Sequence, residues 1–120
     1  MKAIEVISIP VADQERAKEF YTSKLGFAVI AEAPFGSDAK WIQLALPGAD
    51  VSITLVNWFT AMPAGSLQGI LIKVDDIEQE VNDLRAKGIT IDKIDTTPWG
   101  KFAQFKDPDG NGWSYHEMQR

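Results

Sequence analysis

The sequence contains no cysteine and only one histidine, His116. Without thiols, disulfides, Cys nucleophiles and thiolate metal sites are all excluded. No Ser-His-acid order, glycine-rich phosphate loop or HExxH motif occurs either, so hydrolase and nucleotide-binding readings find no support. No apolar run approaches the ~20 residues that span a bilayer, and no membrane partner is expected. The opening Met1-Lys2-Ala3-Ile4-Glu5-Val6 enters a strand pattern with no signal-peptide core, so a cytoplasmic location is expected. Positive charge is also scarce. Twelve Lys and Arg stand against seventeen Asp and Glu, for a net charge of −5. With no basic cluster to offset that balance, a nucleic-acid partner is not expected.

What remains reads as one soluble domain over residues 1–120, since the 45% hydrophobic and 24% charged fractions are ordinary for a globule. Ala3 to Pro10 alternates around Ile4, Val6, Ile7 and Ile9 as a strand. Asp13 is an N-cap for a helix carrying Ala17, Phe20, Tyr21 and Leu25 on one face, and Gly26 stops it. Phe27 to Ala33 is a second strand and Pro34 to Asp38 a loop. Trp41 to Leu46 and Val51 to Val56 form a hairpin. A connector over 57–66 follows, richer in apolar residues than a solvated linker needs.

The second half repeats the first. Leu67 to Val74 is a strand, Asp75 or Asp76 a cap, and Ile77, Val81 and Leu84 mark a helix stopped by Gly88. Ile89 to Ile94 is a strand, Asp95 to Gly100 a loop, and a last hairpin closes the chain. Gly26 lies thirteen positions after Asp13, and Gly88 thirteen positions after Asp75. The order βαβββ-βαβββ is a tandem duplication, with module one over 1–56 and module two over 67–120. Each half is too small to bury its sheet alone.

The final hairpin turns at Asp107-Pro108-Asp109-Gly110-Asn111-Gly112. Asp107, Asp109, Asn111 and Gly112 match positions 1, 3, 5 and 6 of a calcium loop. Position 12 is Met118 instead of Glu, and the flanks alternate as strands. The segment is a turn.

Taken in this order, Ile9-Pro10-Val11-Ala12-Asp13, Phe20-Tyr21 with Leu25-Gly26-Phe27, Val74-Asp75-Asp76 and Asp107 to Gly112 resemble the vicinal oxygen chelate superfamily. That superfamily includes glyoxalase I, bleomycin-resistance proteins and extradiol dioxygenases, and the resemblance spans essentially the whole chain. It implies an α+β fold: two βαβββ modules forming one curved mixed sheet around a cavity, helices outside, commonly as a homodimer. Its catalytic members chelate a divalent ion with His, Gln or Glu. The matching positions here are Val6, Thr54, Gly69 and Ser114, which are not a credible ligand set. A one-residue shift would offer Glu5 and Gln68, with His116 farther along the last strand. Strand alternation sends the first two to the opposite face. No metal and no other cofactor is expected.

Trp113 and Tyr115 alternate out of phase with Ser114 and read as core beneath a helix. Trp41, Trp58, Phe59, Trp99 and Phe102 instead sit in loops or at strand starts. They line a cavity mouth, meet a partner subunit, or pack as plain core. The leading reading is a metal-free protein that binds and sequesters a small planar or aromatic molecule, in the manner of bleomycin-resistance proteins. Its ligand-binding residues would be Trp41, Gln43, Thr54, Trp58, Phe59, Trp99, Phe102, Gln104, Ser114 and His116. The acidic balance weakly favours a cationic ligand. The alternatives are a lyase, isomerase or dioxygenase-like enzyme of the same superfamily, with or without a metal, and an interaction module with no ligand.

Overall fold

Two aspartates set the starts of the two helices. In a computed structural model describing residues 1–119, Asp13 accepts the Arg16 N–H at 3.1 Å, and Asp76, not Asp75, accepts the Gln79 N–H at 3.2 Å. Each bond satisfies a donor that the first helical turn leaves unpaired. Helix α1 spans Gln14–Ser23 and α2 spans Ile77–Ala86. Gly26 and Gly88 end them at left-handed φ of +79° and +83°, and the Phe27 N–H reaches back to the Tyr21 carbonyl at 3.0 Å.

The strands are β1 (Val6–Pro10), β2 (Ala28–Phe35), β3 (Ala39–Ala45), β4 (Ser52–Val56), β5 (Ile70–Lys73), β6 (Asp95–Thr97), β7 (Gly100–Lys106) and β8 (Gly112–Met118). The expected pair of βαβββ modules is present. Their hydrogen bonds resolve into two four-stranded mixed sheets, β1-β4-β3-β2 and β5-β8-β7-β6, instead of one continuous sheet. In each module the first strand lies parallel to the last, which joins it to the module's antiparallel hairpin and leaves it at one edge of the sheet.

Several element boundaries differ from expectation: β1 begins at Val6 instead of Ala3, and β3 at Ala39 instead of Trp41. Strand β2 continues through Pro34 and Phe35, because an edge strand needs no ladder donor from proline. Strand β5 begins only at Ile70, since Gly69 takes a left-handed φ of +86°. Between Ile89 and Ile94 only Ile91 bridges to Phe105, while the expected loop after it supplies β6. There Thr97 Oγ1 accepts the Trp99 N–H at 3.1 Å and donates to the Gly100 carbonyl at 2.8 Å, which folds a tight hairpin at Pro98-Trp99.

One cluster of buried apolar residues spans both modules, from Ile9, Ile42, Leu44 and Leu55 to Phe105, Trp113 and Tyr115. Helix α1 lies against β3 and β4, and α2 against β7 and β8. The modules also clasp one another reciprocally. Lys24 Nζ donates to the Lys87 carbonyl at 2.9 Å, and Lys87 Nζ donates to the Lys24 carbonyl at 3.1 Å. At the surface Lys18 pairs with Glu32 of β2 at 2.7 Å, and Lys40 bridges Glu15 and Glu32 at 2.7 and 3.6 Å. The Lys18–Glu32 hydrogen bond raises the ammonium pKa and lowers that of the carboxylate.

Tyr21 is fully buried at the joint between modules. Its hydroxyl donates to Asp107 Oδ2 at 2.6 Å and accepts the Trp113 indole N–H at 3.0 Å. Burial first, and then the neighbouring Asp107 charge, hold the phenol well above its ordinary value of 10.0. The folded state therefore keeps a proton that the unfolded chain gives up above pH 10. This contribution is intact below that pH and falls above it, by about 1.4 kcal/mol per pH unit. Tyr21→Phe is expected to cost about 1–3 kcal/mol at neutral pH and to flatten the alkaline loss, in urea titrations from pH 8 to 11. An unchanged alkaline slope would refute the assignment.

Candidate functional site

Strand pairing sorts the side chains onto two faces of each sheet. In sheet one, Ile9, Ile42, Leu44, Ile53 and Leu55 point to the helices and are buried. The register Gln43↔Thr54 and Ser8↔Thr54 puts those residues on the other face. Trp41 alternates onto that face too, opposite Ala33 on β2, with Phe35 two residues farther along the strand. Small Ala31 and Ala33 leave the aromatics beside them uncovered. Phe35 and Trp58 rings lie 4.4 Å apart, Phe35 and Trp41 6.1 Å, and Trp58 and Phe59 6.1 Å. Phe59 and Phe35 are exposed, whereas Trp41 and Trp58 are half-buried. This face carries no charged side chain around Trp41, Gln43 and Thr54. Thr54 itself is 1% exposed, with its hydroxyl 3.4 Å from that of Ser8.

In sheet two, Trp113 packs toward α1 and Tyr115 toward α2 as expected, both buried. Burial, with Glu80 and Asp83 of α2 nearby, pushes the Tyr115 phenol up to about 12. The opposite face is set by the registers Leu71↔Ser114↔Gln104 and Lys73↔His116↔Phe102. The Phe102 and His116 rings stack 4.5 Å apart at 11°, and His116 Nε2 lies 3.2 Å from the Trp99 carbonyl. Since a carbonyl only accepts, that nitrogen carries the proton. Trp99 itself is 76% exposed at the hairpin tip. A groove of about 740 Å³ runs along this sheet, lined by Leu71, Phe102, Gln104, Lys106 and Ser114 among others. Glu117, beside His116, turns the other way and accepts the Ile77 N–H at 3.0 Å, adding a second cap to α2.

The ten residues singled out from the sequence therefore fall into two groups. Trp41, Gln43, Thr54, Trp58 and Phe59 belong to sheet one and the segment after it. Trp99, Phe102, Gln104, Ser114 and His116 belong to sheet two. Among the described residues no hydrogen bond or ring contact joins the groups. Sequence reasoning passed over Phe35, Leu71 and Lys106. Extending β2 by its own alternation would have put Phe35 on the face of Ala31 and Ala33, whereas the pairing of Leu71 with Ser114 is long-range and has no local signal.

The sequence profile of the glyoxalase/bleomycin resistance protein/dioxygenase superfamily matches residues 3–115. The chain belongs to this superfamily. Among solved structures, TnmS3, an antibiotic binding protein from Streptomyces sp. CB03234, is 41% identical. It superimposes with a TM-score of 0.94 over 99% of this chain and 98% of that one. A superfamily member from Sphaerobacter thermophilus DSM 20745 is 28% identical, with a TM-score of 0.88 over 98% of both chains. The uncharacterized protein YetH of Bacillus subtilis (strain 168) is 36% identical over 115 residues, 92% of this chain and 94% of its own.

Superfamily membership raises the question of a divalent ion, and the side chains present do not fit one. Val6 and Gly69 offer no donor atom. Thr54 and Ser114 offer hydroxyls, and Ser114 Oγ already donates to the Tyr115 carbonyl at 3.0 Å. Gln68 spends its amide on the Gly65 and Gly110 carbonyls at 3.3 and 3.1 Å. Among the described residues no three His, Asp or Glu side chains converge as a metal site, and no helix is long and apolar enough to cross a membrane. After incubation with excess Zn²⁺ or Ni²⁺ and desalting, elemental analysis should find far less than one ion per chain. A tightly held stoichiometric ion would show that the chain supplies a ligand set after all.

Proposed function

We propose that the protein binds and sequesters a planar aromatic small molecule without transforming it and without a metal. The observation that carries this reading is the run of rings Phe35, Trp41, Trp58 and Phe59 on the helix-free face of sheet one. Four neighbouring rings, two exposed and two half-buried, are the kind of surface on which a planar ligand stacks. The 41% identity to an antibiotic binding protein over nearly the whole chain points the same way. Trp41, Trp58 and Phe59 form one wall. Trp99, Phe102 and His116 form a second aromatic surface, with Gln104 and Ser114 as its polar contacts. Gln43 and Thr54 lie on the same sheet face and back the first wall.

The protein acts as a homodimer in this proposal. Ile30, Phe35, Phe59, Leu71 and Trp99 are all exposed in the single chain, and a second copy would cover apolar surface that one chain leaves wet. A cytoplasmic location accords with this reading.

Titration with planar aromatic probes should quench the tryptophan emission, and mass spectrometry should recover the probe unchanged. Trp99→Ala should weaken binding about two- to tenfold while leaving the melting temperature in place. Converted probe would favour the enzymatic alternative, and absence of quenching by any planar probe would remove the binding reading. Sedimentation at micromolar concentration is expected to give a dimer. A monomer throughout would assign the exposed rings to the ligand alone.

A further inference from the structure

Three hydrogen bonds run in series across the aromatic face of sheet one. The Trp41 indole N–H donates to Gln43 Oε1 at 3.1 Å, and Gln43 Nε2 donates to Ser52 Oγ at 2.7 Å. Ser52 Oγ in turn donates to the Glu5 carbonyl at 3.1 Å. The direction of this relay is forced from its buried end. A carbonyl only accepts, so the Ser52 hydroxyl must give its proton to Glu5 and receive the amide N–H from Gln43. That fixes the amide orientation and leaves its oxygen toward the indole. Ser52 is buried, and its backbone N–H holds the same Glu5 carbonyl at 3.0 Å. The relay is thus anchored where β1 and β4 begin to pair. At its other end the half-buried Trp41 has a single polar atom, and that atom is taken.

We infer that Gln43 is a positioning residue: it fixes the plane of the Trp41 indole and acts on the ligand through Trp41 instead of touching it. The inference rests on the binding function proposed above. An indole held only by its neighbours Ala33 and Phe35 samples several rotamers, and a ligand would have to freeze them on binding. The Gln43 strut removes that cost in advance. It also leaves the ligand the indole face, a surface that selects by flatness and fit more than by directional hydrogen bonds.

The test pairs two readouts on the full chain. In ¹⁵N-labelled protein, with the Trp41 indole signal assigned by its loss in Trp41→Phe, solvent exchange of the indole N–H reports the strut without any ligand. Titration with 1-aminoanthracene, a neutral planar fluorophore, reports its consequence. Gln43→Met keeps the length and removes both bonds. It should speed exchange at Trp41 while sparing Trp113, and raise the 1-aminoanthracene Kd about three- to tenfold. Gln43→Glu, which still accepts from the indole, should restore both. Ser52→Ala cuts the relay at its anchor and should give a partial effect on both, which keeps the test open should Gln43→Met fail to fold. Unchanged exchange in Gln43→Met, or altered exchange with an unchanged Kd, overturns the inference. Wild-type protein that binds neither 1-aminoanthracene nor any other planar probe overturns the binding function, and the exchange data then separate that failure from a failure of the strut.

Discussion

The carboxylate of Asp107 is the joint on which the two modules are hung. It is only 5% exposed, yet all its acceptor capacity is used. Oδ1 takes the backbone N–H groups of Asp109 and Asn111 at 3.0 and 2.8 Å. Oδ2 takes the Tyr21 hydroxyl at 2.6 Å and Asn111 Nδ2 at 2.8 Å. A buried charge without such partners would cost several kcal/mol; here donors come from the turn and from the helix of the opposite module. Asn111 extends the joint, donating to the Pro10 carbonyl at 2.8 Å and accepting the Leu67 N–H at 3.1 Å. The connector closes over it so tightly that a Cβ on Gly65 would run into the Asp109 carbonyl. The turn matched four positions of a calcium loop because both use an aspartate to gather local donors. Here protein donors occupy the place of the ion.

Much of this architecture was legible in the chain. Asp13, Asp76, Gly26 and Gly88 work through local backbone chemistry, which a sequence displays directly. The alternation in β7 and β8 assigned Trp113, Tyr115, Ser114 and His116 to their faces, because a two-residue period leaves no freedom. Long-range pairing was less legible. Nothing local tells Pro34 that its missing N–H faces an unpaired edge, nor Thr96 that it lies opposite Lys101. The division into two sheets depends on β1 and β5 closing onto β4 and β8 across more than forty residues. For the site, the aromatics were visible as rings without a helix face to bury them. Their sorting into two surfaces was not, since it follows from which module each strand joins.

The two modules share one backbone plan, and their helix-free faces differ in chemistry. Around Trp41, Gln43 and Thr54 the face of sheet one is uncharged, and its polar groups are engaged with one another. The face of sheet two carries Lys73, His116 and Lys106 beside Phe102 and Leu71. The same pleat therefore presents one surface governed by ring contact and another open to ionic contact.

A protein that keeps aromatic faces wet invites association along its sheet edges, and β2 shows how that hazard is met. Its eight residues are all exposed, and it pairs only with β3. The ladder slips by one residue between Val29 and Ala31, which bends the strand and breaks the row of groups another strand would need. Pro34 withholds a donor, and Glu32, tied to Lys18 and Lys40, sets a cluster of charges along the same stretch. Each is a known guard against fibril-like addition of strands. One hairpin thus carries aromatic rings on its face and, through other residues, guards its outer edge against added strands.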